Sequence, residues 1–306
     1  MRINDTWWVN PKQLDEDQKL VISAPIDKSH LVLGPPGSGK SNLLLLRADY
    51  LQKAGHPNSI ILVFTRQLQE FMASGSSNYS FPPSKIKTSR SWMLDLLRQH
   101  DIKISLSNDF KQSRVQLLNA VQELIQSRNI SNLYESIILD EAQDYLPDEI
   151  RLFSRLCKYM FVVADLRQKI YIGDDSINII QSIVDQTHML QFHYRNGLNI
   201  CKLADGIAKE SEDYKPLAST SHYNEMIAPS TVEVIRTNTL EEQCNIIFER
   251  IKVQLKAYPN EYIGIITPRR EELSNLSQFF MKTYLSSDDL LQVREDGYAS
   301  FDLNTP

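Results

Sequence analysis

The stretch that most constrains this chain is Gly34-Pro35-Pro36-Gly37-Ser38-Gly39-Lys40-Ser41. It satisfies the phosphate-loop pattern G-x-x-x-x-G-K-[ST], and it lies between an apolar run, Leu31-Val32-Leu33, and a leucine-rich helical stretch at 42–51. The chemistry needs these residue types at this spacing. Glycines let backbone N–H groups curl around a phosphate with no Cβ in the way, Lys40 reaches the β- and γ-phosphates, and the Ser41 hydroxyl is placed to ligate Mg²⁺. The chain has only 10 glycines, and three of them fall in these eight positions, so a chance turn is a poor explanation. The first expectation is therefore a nucleoside triphosphate site using Mg²⁺, with Gly34, Pro35, Pro36, Gly37, Ser38, Gly39, Lys40 and Ser41 as its cradle.

The fold class follows from the strands around that loop. Residues 60–64, 137–139 and 161–164 are solid apolar runs rich in β-branched residues, as expected of strands buried on both faces of a parallel sheet. A short strand is expected at 86–88. Helices are expected at 42–51, 67–73, from about 91, at 110–126 with Val115, Leu118, Val121 and Leu124 on its apolar face, and at 198–210. Residues 74–84 read as a loop. Apolar strands that end in polar residues and alternate with helices predict an α/β fold of P-loop NTPase (RecA-like) type, a parallel sheet with helices on both faces and chemistry at the strands' carboxyl ends.

A second α/β unit is expected further on, with strands at 231–235 and 262–266 and helices at 240–255 and 272–284. It reads as an incomplete second RecA-like domain. The expected layout is a RecA-like ATP-binding domain at 1–210 with a minimal insertion around 92–135, a connection at 211–230 and the partial second domain at 231–306. A length of 306 residues with 42% hydrophobic and 23% charged side chains accommodates two such domains. The net charge of −5 argues against nucleic-acid binding through bulk positive charge and leaves room for a local track. Cys157, Cys201 and Cys244 form no CxxC pair, so packed reduced thiols are expected. The opening residues lack a secretory layout and no run is long enough to span a membrane, which makes a cytoplasmic location the expectation. Trp7 and Trp8 read as a packing anchor ahead of an acidic helix start at Asp15, Glu16 and Asp17.

The second half of the site is expected at Asp140-Glu141, at the end of the 137–139 strand. Asp140 would hold Mg²⁺ together with Ser41, and Glu141 would orient or deprotonate the attacking water. In motif order the chain resembles the UvrD/Rep-like superfamily 1A DNA helicases over roughly residues 14–290. The segment 14–21 is similar to the family's Q motif, 34–41 to motif I, 63–65 to motif Ia and Thr88-Ser89-Arg90-Ser91-Trp92 to its T-x-H-S-F segment, with Arg90 in the histidine position. Asp140-Glu141-Ala142-Gln143-Asp144 matches the DExQD form of motif II. Residues 165–171 resemble motif III, with Ala164 and Lys169 in place of glycine and serine, and Tyr194-Arg195 resembles motif IV.

The resemblance implies roles for these residues. Gln18 reads the adenine edge and Tyr194 stacks on the base. Gln168 senses the γ-phosphate, and Arg195 is an arginine finger. Thr65, Arg66, Thr88, Arg90, Ser91 and Trp92 contact single-stranded DNA. AAA+ and transporter ATPases fit the Gln18, DExQD and Tyr194-Arg195 set poorly. Segments resembling the family's motifs V and VI are not found in the 306 residues, so the chain reads either as part of a longer helicase or as a reduced relative. The first expectation is an ATP-hydrolysing motor core moving 3′ to 5′ on single-stranded DNA. The alternative is an ATP-binding switch or docking subunit, partnered with a nuclease or another repair or defence protein. Nothing in the sequence supports a third option, a small-molecule kinase.

Overall fold

The computed structural model describes residues 11–76, 78–165, 176–209, 214–257, 263–267, 269–283, 291–293 and 299–301. The chain divides into two units, Arg2–Val232 and Glu233–Pro306. In the first, the elements run α1 (Glu16–Ile22), β1 (His30–Leu33), α2 (Lys40–Lys53), β2 (Ser59–Val63), α3 (Arg66–Ser76), β3 (Ile86–Thr88) and α4 (Ser89–Gln99). They continue with α5 (Phe110–Arg128), β4 (Tyr134–Leu139), α6 (Pro147–Arg155), β5 (Cys157–Ala164), α7 (Ser176–Ile183), β6 (Gln186–Met189) and α8 (Leu198–Ala208).

The six strands form one all-parallel sheet in the order β3-β2-β4-β5-β1-β6. Their composition explains the layering. Every residue of β1 and β2 is buried, and successive side chains go to opposite faces. Leu31, Leu33, Leu62, Ile137, Leu139 and Val162 pack on one side against Trp92 and Leu96 of α4, Leu118 and Val121 of α5 and Phe153 of α6. Val32, Ile61, Val63, Ile138, Phe161 and Val163 pack on the other against Leu43, Leu44 and Ala48 of α2 and Met72 of α3. Full burial of each large side chain contributes roughly 1.5–3 kcal/mol, so strands covered on both faces are the rigid part of the unit. This is the α/β parallel-sheet class expected from the sequence.

Three local expectations change. In α5 the buried stripe is Leu117, Leu118, Val121, Leu124 and Ile125, whereas Val115 is 47% exposed. At 3.6 residues per turn Val115 points about 120° away from the centre of that stripe. The loop expected from 74 is shortened, because α3 runs on to Ser76 and a 3-10 turn at Pro83–Lys85 leads into β3. β6 was not anticipated. Its Gln186-Thr187-His188-Met189 sequence is polar because it is an edge strand with alternating exposure. It is anchored where Asp185 Oδ2 accepts the Ser29 amide at 2.7 Å, while Ser29 Oγ accepts the Met160 amide of β5 at 3.1 Å. The starts of β1 and β6 are thereby tied to the middle of β5.

Residues 214–230, within the stretch read as a connection, are hydrogen-bonded into the first unit. The Asp205 carboxylate of α8 accepts the Tyr214 hydroxyl at 2.7 Å and the amides of Leu217 and Ala218 at 2.7 and 3.0 Å. Ser230 and Glu225 close on the start of α8.

The second unit contains α9 (Leu240–Ala257) and α10 (Arg270–Thr283), packed through Cys244, Ile251, Leu276 and Phe280, and an antiparallel pair, β7 (Leu291–Val293) with β8 (Ala299–Phe301). Among the described residues no strand forms at 231–235 or 263–266, contrary to expectation. A strand needs a neighbour for its N–H and C=O groups, and Val234 and Ile266 are instead 76% and 95% exposed. The three cysteines are buried free thiols, as expected. Among the described residues no helix is long and apolar enough to cross a membrane. Trp7 and Trp8 lie outside the described residues.

Candidate nucleotide site

Because the strands are parallel, the segments leaving β1, β4 and β5 emerge on one edge of the sheet. The phosphate loop leaves β1, and its first amide, Gly34 N–H, donates to the Ala164 carbonyl at the end of β5 at 3.3 Å. Gly37 and Gly39 adopt left-handed φ angles of 81° and 85°. A Cβ on Gly37 would stand 3.1 Å from the Arg195 Cβ, and one on Gly39 would stand 3.0 Å from the Gln18 amide nitrogen. Both positions are therefore restricted by conformation and by space. Gly39 is the N-cap of α2, whose amino end and positive dipole face the loop.

Lys40, 7% exposed, lays its ammonium on the loop, donating to the carbonyls of Gly34 at 2.9 Å and Pro35 at 3.0 Å, with Asp165 Oδ2 3.6 Å away. Ser41 Oγ donates to Asp140 Oδ2 at 2.8 Å, although the two are 99 residues apart in sequence. Asp140 is fully buried at the end of β4, and its other oxygen accepts the Glu141 amide at 2.9 Å. Burial, followed by the Glu141 charge, pushes the Asp140 carboxyl up to about 7; the Ser41 and Glu141 hydrogen bonds and Lys40 pull the other way. A hydroxyl and a carboxylate converging beside an ammonium make a donor set suited to a hard cation bound next to phosphate. Loop, helix end and cation ligands all fit a nucleoside triphosphate with Mg²⁺.

Glu141 has a left-handed backbone, φ 48° and ψ 48°, which is uncommon for a residue with a side chain. Its carboxylate is held by Gln143, whose Nε2 donates to Glu141 Oε2 at 2.7 Å while its Oε1 accepts the Asp165 amide at 3.0 Å. Gln143 thus ties the turn after β4 to the end of β5. Arg114 of α5 supports the same turn, donating to the Asp144 carbonyl at 2.8 Å and pairing with the buried Glu149, its guanidinium 4.9 Å above Phe64. Neither Gln143 nor Arg114 was singled out from sequence. The DExQD spacing contained the first signal, and only the fold brings the second into place.

One flank of the phosphate loop is organised by α1. Gln18, 6% exposed, forms a capping box with Asp15 and donates from Nε2 to the Ser38 carbonyl at 2.9 Å. Arg47 of α2 fixes the turn after α1 by donating to the carbonyls of Ile22, Ala24 and Pro25 at 3.2, 2.6 and 2.7 Å. Residues 193–196 close over the loop from the far end of the unit. The Tyr194 amide donates to the Gly37 carbonyl at 3.0 Å, Asn196 Nδ2 donates to the Pro36 carbonyl at 3.3 Å, and Arg195 lies against Gly37. Buried His193 anchors this turn on the Leu217 carbonyl at 2.9 Å. Gln18, Tyr194 and Arg195 are therefore all brought to the phosphate loop, along with Asp140 and Glu141. Gln168 lies outside the described residues.

The residues expected to contact DNA gather at the ends of β2 and β3, which are neighbours. Thr65 caps α3, its hydroxyl accepting the Leu68 amide at 3.2 Å, and Arg66 is exposed and pairs with Glu70. Thr88 caps α4 by accepting the Ser91 amide at 3.0 Å, and Ser91 Oγ returns a bond to the Thr88 carbonyl. Arg90 is exposed and donates to Ser113 at 3.2 Å. Trp92 corrects the expectation. It is 3% exposed, packs against Phe153, and its Nε1 donates to the Tyr134 hydroxyl at 2.9 Å, so it is a core residue with no face for a base.

A family model described as an AAA domain matches residues 17–174. Among solved structures the chain resembles the Pif1 helicase from Candida albicans, with 13% identity and a TM-score of 0.52, covering 91% of this chain and 56% of that one. It also matches the helicase domain of Hef from Pyrococcus furiosus, with 14% identity and a TM-score of 0.39 over 90% of this chain and 55% of that one. The chain thus spans a little over half the length of the Pif1 structure. At 13% identity the likeness to the Pif1 structure is one of fold. No curated protein matches the sequence. The matched model bears the general AAA description, which is broader than the UvrD/Rep-like resemblance carried by the motifs.

Proposed function

Since this chain belongs to the AAA domain family, we propose that it binds and hydrolyses ATP as the motor core of a superfamily 1 helicase acting on single-stranded DNA. The observation that carries this reading is the contact of Ser41 with buried Asp140 beside the Lys40 ammonium. It joins the phosphate loop to the acidic strand end in one site. When bound, Mg-ATP supplies the phosphoanhydride bond and the charge neutralisation that its cleavage requires. The chain's own residues do the rest. The loop amides and the amino end of α2 receive the phosphates, and Lys40 turns from the loop carbonyls to them. Ser41 and Asp140 hold the cation. Glu141, aimed by Gln143, accepts the proton of the attacking water, and Arg195 brings positive charge to the phosphate side. Gln18 and Tyr194 take the base, and Gln168 couples the γ-phosphate to DNA.

Thr65, Arg66, Thr88, Arg90 and Ser91 form the DNA track at the ends of β2 and β3, with movement 3′ to 5′ by resemblance to the UvrD/Rep-like family. By resemblance to the same family, the residues from Glu233 onward are assigned to a partial second RecA-like domain. A nuclease or another repair or defence protein in the cytoplasm is the proposed partner.

The test is ATP hydrolysis by the purified chain with and without single-stranded DNA. Severalfold stimulation, weakened by substituting Arg66 and Arg90 together, is expected. A rate indifferent to single strands would contradict the motor reading and favour an ATP-dependent switch or docking subunit.

A further inference from the structure

We infer that Asp15 positions the base-recognition groups of the nucleotide site, holding Gln18 and Tyr194 in one arrangement through its two carboxylate oxygens. The inference rests on the nucleotide-site reading above and gives a role to Asp15, which lies in the 14–21 segment where only Gln18 had one.

Asp15 Oδ1 accepts the Gln18 amide at 2.7 Å, and Gln18 Oε1 accepts the Asp15 amide at 3.1 Å. The second carboxylate oxygen accepts the hydroxyl of Tyr194, 179 residues away. One side chain thus joins the first helix of the unit to the turn that closes over the phosphate loop. Tyr194 is fixed at two further points. Its amide donates to the Gly37 carbonyl at 3.0 Å, and its ring stands edge-on to His222 with centroids 5.9 Å apart. The ring nevertheless remains 37% exposed, which leaves surface for a flat heteroaromatic base. Gln18 spends one N–H on the Ser38 carbonyl and one lone pair on Asp15. By its donor and acceptor inventory it retains one of each for a base edge. The ligand chemistry is a purine whose edge offers both a donor and an acceptor.

Burial, together with the Asp15 charge and hydrogen bond, raises the Tyr194 phenol well above its ordinary range, so it remains a donor to Asp15 across the working pH. A hydrogen bond to a charged acceptor is among the stronger ones, and it is lost without disturbing the ring when tyrosine becomes phenylalanine.

The test uses the full chain with Mg²⁺ and a bound fluorescent ATP analogue, displaced by ATP or by inorganic tripolyphosphate. In the wild-type chain ATP is expected to displace the analogue at lower concentration than tripolyphosphate. Tyr194→Phe and Asp15→Ala should each weaken ATP about tenfold and leave tripolyphosphate unchanged. Asp15→Asn should recover most of the loss, since asparagine keeps the cap and can donate to the Tyr194 oxygen. The double variant Asp15→Ala/Tyr194→Phe should lose less than the sum of the two single losses.

Variants that keep full ATP affinity would overturn the inference while leaving the nucleotide site in place. Equal losses for ATP and tripolyphosphate would also overturn it, because Asp15 would then be supporting the phosphate loop instead of the base groups. A wild-type chain displaced by neither would remove the nucleotide reading itself. Tyr194→Phe leaves the α1 cap intact, so the outcome does not depend on the folding of Asp15→Ala.

Discussion

Asp140→Asn should make the nucleotide-free protein more stable at pH 8 and, in the same change, abolish ATP hydrolysis. The carboxyl is fully buried, and burial is the main cause that carries it up to about 7, well above its ordinary 3.8. Between those two values the folded chain keeps a proton that the unfolded chain has released. The favourable contribution of this group therefore falls as pH rises through that window, and the full penalty applies above about 7. Asparagine can still accept the Glu141 amide and can donate to Ser41 Oγ, with no charge to bury. The expected gain at pH 8 is on the order of 1–3 kcal/mol, read as a higher Tm in EDTA, and it should shrink toward pH 4. Turnover with Mg-ATP should drop by about a hundredfold or more, because a neutral amide is a poor ligand for a hard cation. A variant less stable than wild type at pH 8 would show that the buried carboxylate is not the liability described.

Glu141→Gln separates binding from chemistry. Glu141 leaves the end of β4 in a left-handed turn, and its carboxylate is held by Gln143 at 2.7 Å. Glutamine keeps the shape and can still meet Gln143, but it cannot take a proton from water. The turnover number should fall roughly 10²- to 10³-fold, with the affinity for Mg-ATP little changed. Single-turnover hydrolysis beside equilibrium nucleotide binding distinguishes the outcomes. Retained turnover would move the general base elsewhere, and a parallel loss of binding would make Glu141 part of the cradle.

Much of this site was legible from sequence because its parts are local. The phosphate loop and the DExQD segment are each contiguous, and each follows a strand whose apolar run announces it, 31–33 in one case and 137–139 in the other. Strands covered by helices on both faces have to be apolar throughout, so the central sheet was legible as well. The parts that escaped depend on long-range pairing. β6 is a polar edge strand recognisable only by its register with β1. Gln143 gains its role from the Asp165 amide 22 residues away, and Asp15 from a tyrosine at the other end of the unit. Trp92 illustrates the reverse error. It sits in a motif-like segment at the start of α4, and helical periodicity turns its indole inward onto Phe153 and Tyr134. Residues 231–235 alternate as a strand would, yet alternation alone does not supply the neighbouring strand that would complete one.

The central claim is that Lys40, Ser41, Asp140 and Glu141 form one Mg-ATP-hydrolysing site, and phosphate release by the wild-type and Lys40→Ala chains tests it most directly. Lys40 rests on the Gly34 and Pro35 carbonyls of the phosphate loop, 3.6 Å from Asp165. The account predicts Mg²⁺-dependent hydrolysis by the wild-type chain and a loss of about a hundredfold or more in the variant. Equal hydrolysis by both chains, or none by a wild-type chain supplied with single-stranded DNA and Mg²⁺, would contradict it.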